Sequence, residues 1–324
     1  MEKVLGIDIG GTSIKVGLFS TEGELEAVTK IPTGEITSEA AFAVVTEGLK
    51  KLLADNDVTP EDIVAVGLDV PGPVDDEGNV GMLANIELDP DGLRNSLKKA
   101  FPNADFAFVN DANAAALGEL WQGTAKDANS FVLVALGTGV GGGVIAGGNL
   151  ISGAFGAGGE IGHITVNPNE TETCGCGRKG CLEQYSSASG VVRSYKRECE
   201  ARGLEPVHLD GPTDTLSIFK AARAGDKAAK AAIKTMCDYL GYALAQISVI
   251  ADPQLFLIGG GVSGGWDLFA DELRGAFRRY CLAPSVSCRI LPASLGNDAA
   301  MYGSAYQAMN AGDNSNGTES SEQA

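Results

Sequence analysis

The chain reads as an α/β protein, and three features predict it. Strand-like apolar runs alternate with segments of helical periodicity, the order expected of a sheet covered by helices. Those apolar runs end again and again in glycine-rich or Asn-Asp turns. The length of 324 residues, with 44% apolar and 20% charged, suits about two domains, each with its own core.

Residues 3–19 read as strand, tight turn, strand: VLGIDI, GGTS, IKVGLF. Residues 37–53 follow as a helix, with Ser38 as N-cap and Phe42, Val45, Leu49 and Leu52 at helical spacing. IVAVGLDV is a buried strand closed by the rigid turn Pro71-Gly72-Pro73, and FAFVND is another that ends at Asn110-Asp111. An Ala-rich helix spans 112–121. SFVLVALGTGVGGGVIAGG is a second strand–turn–strand, a weak echo of the first. Residues 158–184 are irregular and rich in Gly and Cys, and 217–251 are mostly helical. LFLIGGGVS is a buried strand with a glycine turn, 298–309 a last helix, and 312–324 a polar tail expected to be disordered.

Composition narrows the function classes. A formal net charge of −18 disfavours nucleic acid and anionic membranes as partners. No apolar run is long enough for a membrane span, and the N-terminus lacks the basic and apolar regions of a signal peptide. Seven cysteines, three of them between 174 and 181, do not form a secreted disulfide framework. They point to a reducing compartment, hence the cytoplasm, with one metal site and scattered core thiols.

Three glycine turns suit phosphate. In the first, Asp8, Gly10, Gly11, Thr12 and Lys15 belong to DIGGTSIK, where glycines admit an anion to backbone N–H groups and Asp8 can hold Mg²⁺ through water. It is not a Walker A loop, and a plain hairpin explains it equally well in isolation. The second, Gly137-Thr138-Gly139, begins a G-x-G-x-x-G pattern, but the helix a dinucleotide site requires does not follow. The third, Gly259-Gly260-Gly261, ends the very apolar strand LFLI, at the end of a strand where ligands gather.

Asp111 is either a helix N-cap or a general base that takes the proton of an attacking hydroxyl. His163, Cys174, Cys176 and Cys181 make a soft N/S ligand set for a tetrahedral, structural Zn²⁺. Glu160 and Glu183 stand close to those ligands in sequence. If 181–183 is extended, Cys181 and Glu183 point the same way, so the metal also places carboxylates suited to sugar hydroxyls.

In order along the chain, DIGGTSIK, VPGPV, NDANAAALGE, LGTGVGGGV, GAGGEIGH, CGCGRKGCLE and LIGGGVS resemble the ROK family of bacterial sugar kinases and repressors, most closely its glucokinase branch. The resemblance runs from Gly6 to about Tyr306. It implies a two-domain, actin-like and hexokinase-type (ribonuclease H-like) ATPase fold with an interdomain cleft. The small domain would hold 1–115 plus about 296–311, and the large domain 116–295. It implies ATP, Mg²⁺ and a structural Zn²⁺, with Asp111 as catalytic base. Asn85, Asn110, Asp111, Glu160, His163 and Glu183 match sugar-contacting positions, and His163, Cys174, Cys176 and Cys181 the zinc ligands. The three glycine turns match phosphate and adenosine contacts. Glucose is the expected substrate and a homodimer the expected assembly. The rivals are a kinase for N-acetylglucosamine, N-acetylmannosamine, fructose or allose, and a sugar-sensing ROK repressor. A repressor of this kind carries an N-terminal helix-turn-helix, for which a phosphate turn at residue 8 leaves no room.

Overall fold

The computed structural model describes residues 1–83, 86–211 and 214–315. Asn85 lies outside the described residues. In chain order the elements begin with β1 (Lys3–Ile9), β2 (Ser13–Ser20), β3 (Leu25–Pro32), α1 (Glu39–Ala54), β4 (Ile63–Val70), α2 (Pro90–Ala100), β5 (Asp105–Asn110) and α3 (Asp111–Trp121). They continue with β6 (Phe131–Leu136), β7 (Val140–Ala146), β8 (Asn149–Leu150), α4 (Glu183–Ser186), α5 (Ala188–Arg202), α6 (Thr215–Arg223) and α7 (Lys227–Ala251). The last are β9 (Leu255–Gly259), α8 (Trp266–Tyr280), β10 (Arg289–Pro292) and α9 (Ala299–Ser315).

The chain divides into two compact units. One comprises Met1–Asp127, Leu150–Gly158 and the segment from Asn297 onward, so α3 lies whole within it. The other comprises Ala128–Asn149 and Gly159–Gly296.

Each unit is built on a five-stranded sheet, and the two sheets share one topology. The first runs β3-β2-β1-β4-β5, with β1 antiparallel to β2 and parallel to β4. The second runs β10-β9-β6-β7-β8, with β6 antiparallel to β7 and parallel to β9. Hairpin β6–β7 therefore occupies the place of hairpin β1–β2, and the faint echo between their sequences is a structural repeat.

Both faces of the first sheet are covered. Leu5, Ile7, Ile9, Val66 and Leu68 pack with Phe42, Val45 and Leu49 of α1 and Leu93 and Leu97 of α2. The other face presents Val4, Gly6 and Asp8 of β1 beside Ala65, Gly67 and Asp69 of β4, by the alternation of a strand. Met301, Ala305 and Ala308 of α9 pack there. A Cβ at Gly67 would overlap the carbonyl of Ser304, so α9 lies directly on the strand backbone. In the second unit β6 and β9 bury Val132, Val134, Phe256 and Ile258 among α5, α6, α7 and α8. The helical run expected over 217–251 is interrupted, with Gly225 at φ +99° between α6 and α7.

Candidate active site

Near the carboxyl ends of the parallel neighbours β1 and β4 two acidic residues stand side by side, and β5, parallel to β4, ends at Asn110 with Asp111 opening α3. Asp8 pairs with Asp69 across β1 and β4, and Val70 pairs with Asn110 across β4 and β5. In open α/β sheets ligands gather at the carboxyl ends of strands. Asp8 is half-buried and burial raises its pKa, opposed by the nearby charge of Lys15. Lys15 stands opposite Asp8 in the β1–β2 register, but its ammonium is bound to Asp298 Oδ1 at 2.9 Å and the carbonyl of Asn297 at 2.6 Å. Asp69 is wholly buried. Burial raises it well above the usual carboxylate range, and the nearby charges of Asp8 and Asp111 add to that.

The two readings of Asp111 separate at the start of α3. The cap is Asn110, whose side chain accepts from the N–H groups of Ala112 and Asn113 at 3.0 and 3.1 Å. Its amide nitrogen donates to the Gly72 carbonyl at 3.0 Å, tying the β5 end to the Pro-Gly-Pro turn. Asp111 occupies the first helical position, exposed, with Oδ1 accepting from the Ala112 N–H at 2.8 Å. An anionic side chain is favoured at that helix terminus, where its charge meets the unpaired N–H groups.

Among the glycine turns, space separates two roles. A Cβ at Gly11, Gly137 or Gly261 would meet nothing within 4 Å, so the backbone there is open to a ligand. Gly139 and Gly260 are glycines for internal reasons. A Cβ on the first would strike the Glu183 carboxylate, and on the second the backbone of Leu136. Gly260 also holds φ +77°, in the left-handed region. In the second unit, then, the turn at 259–261 packs against the end of β6, beside the turn at 137–139. Thr138 is exposed, and its carbonyl accepts from Ser189 Oγ at 3.3 Å.

His163, Cys174, Cys176 and Cys181 come together, their ligand atoms all within 4.8 Å of one another. His163 turns Nδ1 toward Cys174 Sγ at 4.0 Å and Nε2 toward Glu160 Oε2 at 3.9 Å. Cys176 and Cys181 sulfurs lie 3.6 Å apart. Burial and the neighbouring thiols push Cys181 up to about 12. One imidazole and three thiols are a donor set that fits Zn²⁺, whose binding would displace the thiol protons.

Residues 181–183 are not extended. Leu182 is helical (φ −51°, ψ −41°) and Glu183 opens α4. The turn arises because Gln184 Oε1 accepts from the N–H groups of Gly180 and Cys181 at 2.8 and 3.1 Å, and the chain curls around it. Glu183 is linked to the ligand set directly instead. Its carboxylate accepts from Cys174 Sγ at 3.7 Å and from the Val140 N–H at 3.0 Å. It thereby joins the Cys/His segment to hairpin β6–β7.

A network absent from the sequence reading anchors this segment. Glu170 accepts from Tyr185 Oη at 2.6 Å and from the N–H groups of Thr171 and Glu172, and it pairs with Arg193 and Arg197 of α5. Burial works against its charge, but the bonds from Tyr185, Glu172, Arg197 and Thr171 prevail and hold it at about 2. Arg193 and Arg197, at i and i+4 on one helix face, were the available signal.

Two α/β units of one topology, each led by a glycine-turn hairpin, define the actin-like, hexokinase-type ATPase fold. A ROK hexokinase from Thermus thermophilus superposes with a TM-score of 0.78 at 30% identity, over 96% of this chain and 99% of that one. A ROK family glucokinase from Streptomyces griseus, in complex with glucose and AMPPNP, does so with a TM-score of 0.75 at 33% identity, over 95% and 99%. The glucokinase of Halalkalibacterium halodurans is 35% identical over 311 residues, 93% of each chain. The chain belongs to the ROK family, whose sequence pattern matches residues 4–311.

Proposed function

We propose that this protein transfers the γ-phosphoryl group of ATP to a hexose, glucose first, giving glucose 6-phosphate and ADP. The observation that carries the reading is the division of labour at the β5–α3 junction. Asn110 caps the helix, and the Asp111 carboxylate is exposed beside it, as a general base must be. The similarity to glucokinases over nearly the whole chain supports the substrate class.

In the proposed reaction a sugar hydroxyl oxygen bonds to the γ-phosphorus as the bond to the β–γ bridging oxygen breaks. ADP leaves with that electron pair, and the hydroxyl proton passes to Asp111. The glycine turns at Gly10–Thr12, Gly137–Gly139 and Gly259–Gly261 take the phosphates and adenosine. Asp8 would hold Mg²⁺, which neutralises phosphate charge in reactions of this type. Lys15 contributes by fixing Asp298 beside Asp8. Asn85, Asn110, Glu160, His163 and Glu183 take sugar hydroxyls, and Asn110 also caps the helix that Asp111 opens. His163, Cys174, Cys176 and Cys181 would hold a structural Zn²⁺, which would fix the His163 ring.

Among the described residues, no helix is long and apolar enough to cross a membrane. A cytoplasmic enzyme acting as a homodimer, without nucleic acid, completes the proposal. ADP release measured with Mg·ATP across glucose, N-acetylglucosamine, N-acetylmannosamine, fructose and allose tests it. Glucose is expected to give the highest kcat/KM, and a panel without turnover refutes the kinase reading.

A further inference from the structure

Asp69 is a wholly buried carboxyl residue next to the end of strand β4, and the proposed chemistry gives it no task. No donor among the described residues reaches either of its carboxylate oxygens. A buried carboxylate without partners is costly, and each one calls for an explanation. Its neighbour across the sheet is another carboxyl, Asp8, in side-chain contact with it. The surroundings do not relieve the pair. Lys15 is the ammonium in range, and it is bound to Asp298. Asp111 and Asp298 add negative charge from the start of α3 and from the segment before α9. On the α9 side Met301 and Ala305 are apolar.

Two ionised carboxylates in contact repel, so the pair either keeps a proton, the direction in which burial pushes Asp69, or takes up a positive ion. A divalent cation is such an ion, and it takes hard oxygen ligands. We propose that Asp69 binds the divalent cation of this site together with Asp8, as a second carboxylate drawn from the neighbouring strand. The inference rests on the reading of Asp8 as a cation-holding residue. It adds a ligand that lies outside every glycine turn, on a strand otherwise devoted to the core. A cation held by two carboxylates on adjacent, hydrogen-bonded strands stays fixed relative to the sheet, because neither side chain sits on a movable loop.

The test uses Mn²⁺ as probe, with the full-length protein and no nucleotide. Loss of the free Mn²⁺ signal by electron paramagnetic resonance reports binding directly, independent of turnover. Wild-type protein is expected to bind one Mn²⁺ at the site, and Asp8→Asn to weaken it. Asp69→Asn keeps the shape but removes the charge, and is expected to weaken binding about tenfold or more. Asp69→Ser provides a second background should the amide disturb folding, and thermal melting confirms that each variant is folded. Mn²⁺ affinity unchanged in a folded Asp69→Asn or Asp69→Ser protein overturns the proposal, as does a wild type that binds no Mn²⁺. Glucose phosphorylation is measured separately on the wild type. Turnover with unchanged Mn²⁺ binding in the variants removes Asp69 alone. Weakened binding in the variants without wild-type turnover keeps the cation site and removes the kinase reading.

Discussion

Glu170→Gln should destabilise the protein in a pH-dependent way. The side chain is 4% exposed, its carboxylate bonded to Tyr185 and two backbone N–H groups and paired with Arg193 and Arg197. These contacts hold its pKa at about 2, against a usual value of 4.5. Holding the carboxyl at about 2 rather than 4.5 corresponds to about 3 kcal/mol at neutral pH. The sign follows from the depressed value. The stabilisation is fully present above the unfolded pKa of 4.5 and is lost as pH falls toward 2. Urea unfolding of wild type and Glu170→Gln, from pH 7 down to pH 3, measures it. The difference should be about 3 kcal/mol at pH 7 and shrink steadily below pH 4.5. A difference that does not change with pH, or one under about 0.5 kcal/mol at pH 7, the range of ordinary surface substitutions, would refute the reasoning. The consequence reaches the site, because Arg193 and Arg197 fasten the segment carrying Cys174, Cys176 and Cys181 to α5.

Purified protein should carry one zinc per chain by elemental analysis, and Cys176→Ser, at an exposed position, should fall well below one; full zinc in that variant would exclude Cys176 as a ligand. Gly11→Val should raise the KM for ATP at least tenfold while glucose binding by calorimetry stays near wild type, because a side chain there enters open space rather than the core. Equal loss of both would point to misfolding.

What could be read beforehand was local. VLGIDIGGTSIK specifies a hairpin by its own pattern, and the Cys/His set specifies a ligand cluster by residue type. The repeat was faint because LGTGV and IGGTS share little beyond glycine and threonine, and only the strand order shows that both lead the same sheet. Asn110 and Asp111 cap helices about equally well, so the sequence could not divide their roles. The turn at 181–183 depends on Gln184 reaching back to two N–H groups, a tertiary detail that period-2 reasoning misses. Glu170 lay in the polar stretch NPNETET, which resembles a solvated loop until Tyr185 and α5 close over it. Asp69 was visible as a charge inside IVAVGLDV, but its significance required the β1–β4 register that sets it against Asp8.

The most direct test of the central claim is Asp111→Asn, assayed for glucose phosphorylation with Mg·ATP alongside glucose binding by calorimetry. The amide keeps the size and hydrogen-bonding reach of the carboxylate but cannot accept the hydroxyl proton. Because Asn110 supplies the cap, the helix should be undisturbed. Turnover is expected to fall by about 10²–10⁴-fold or more, with glucose affinity and melting temperature close to wild type. Near-normal turnover in the folded variant would contradict the assignment of Asp111 as the base.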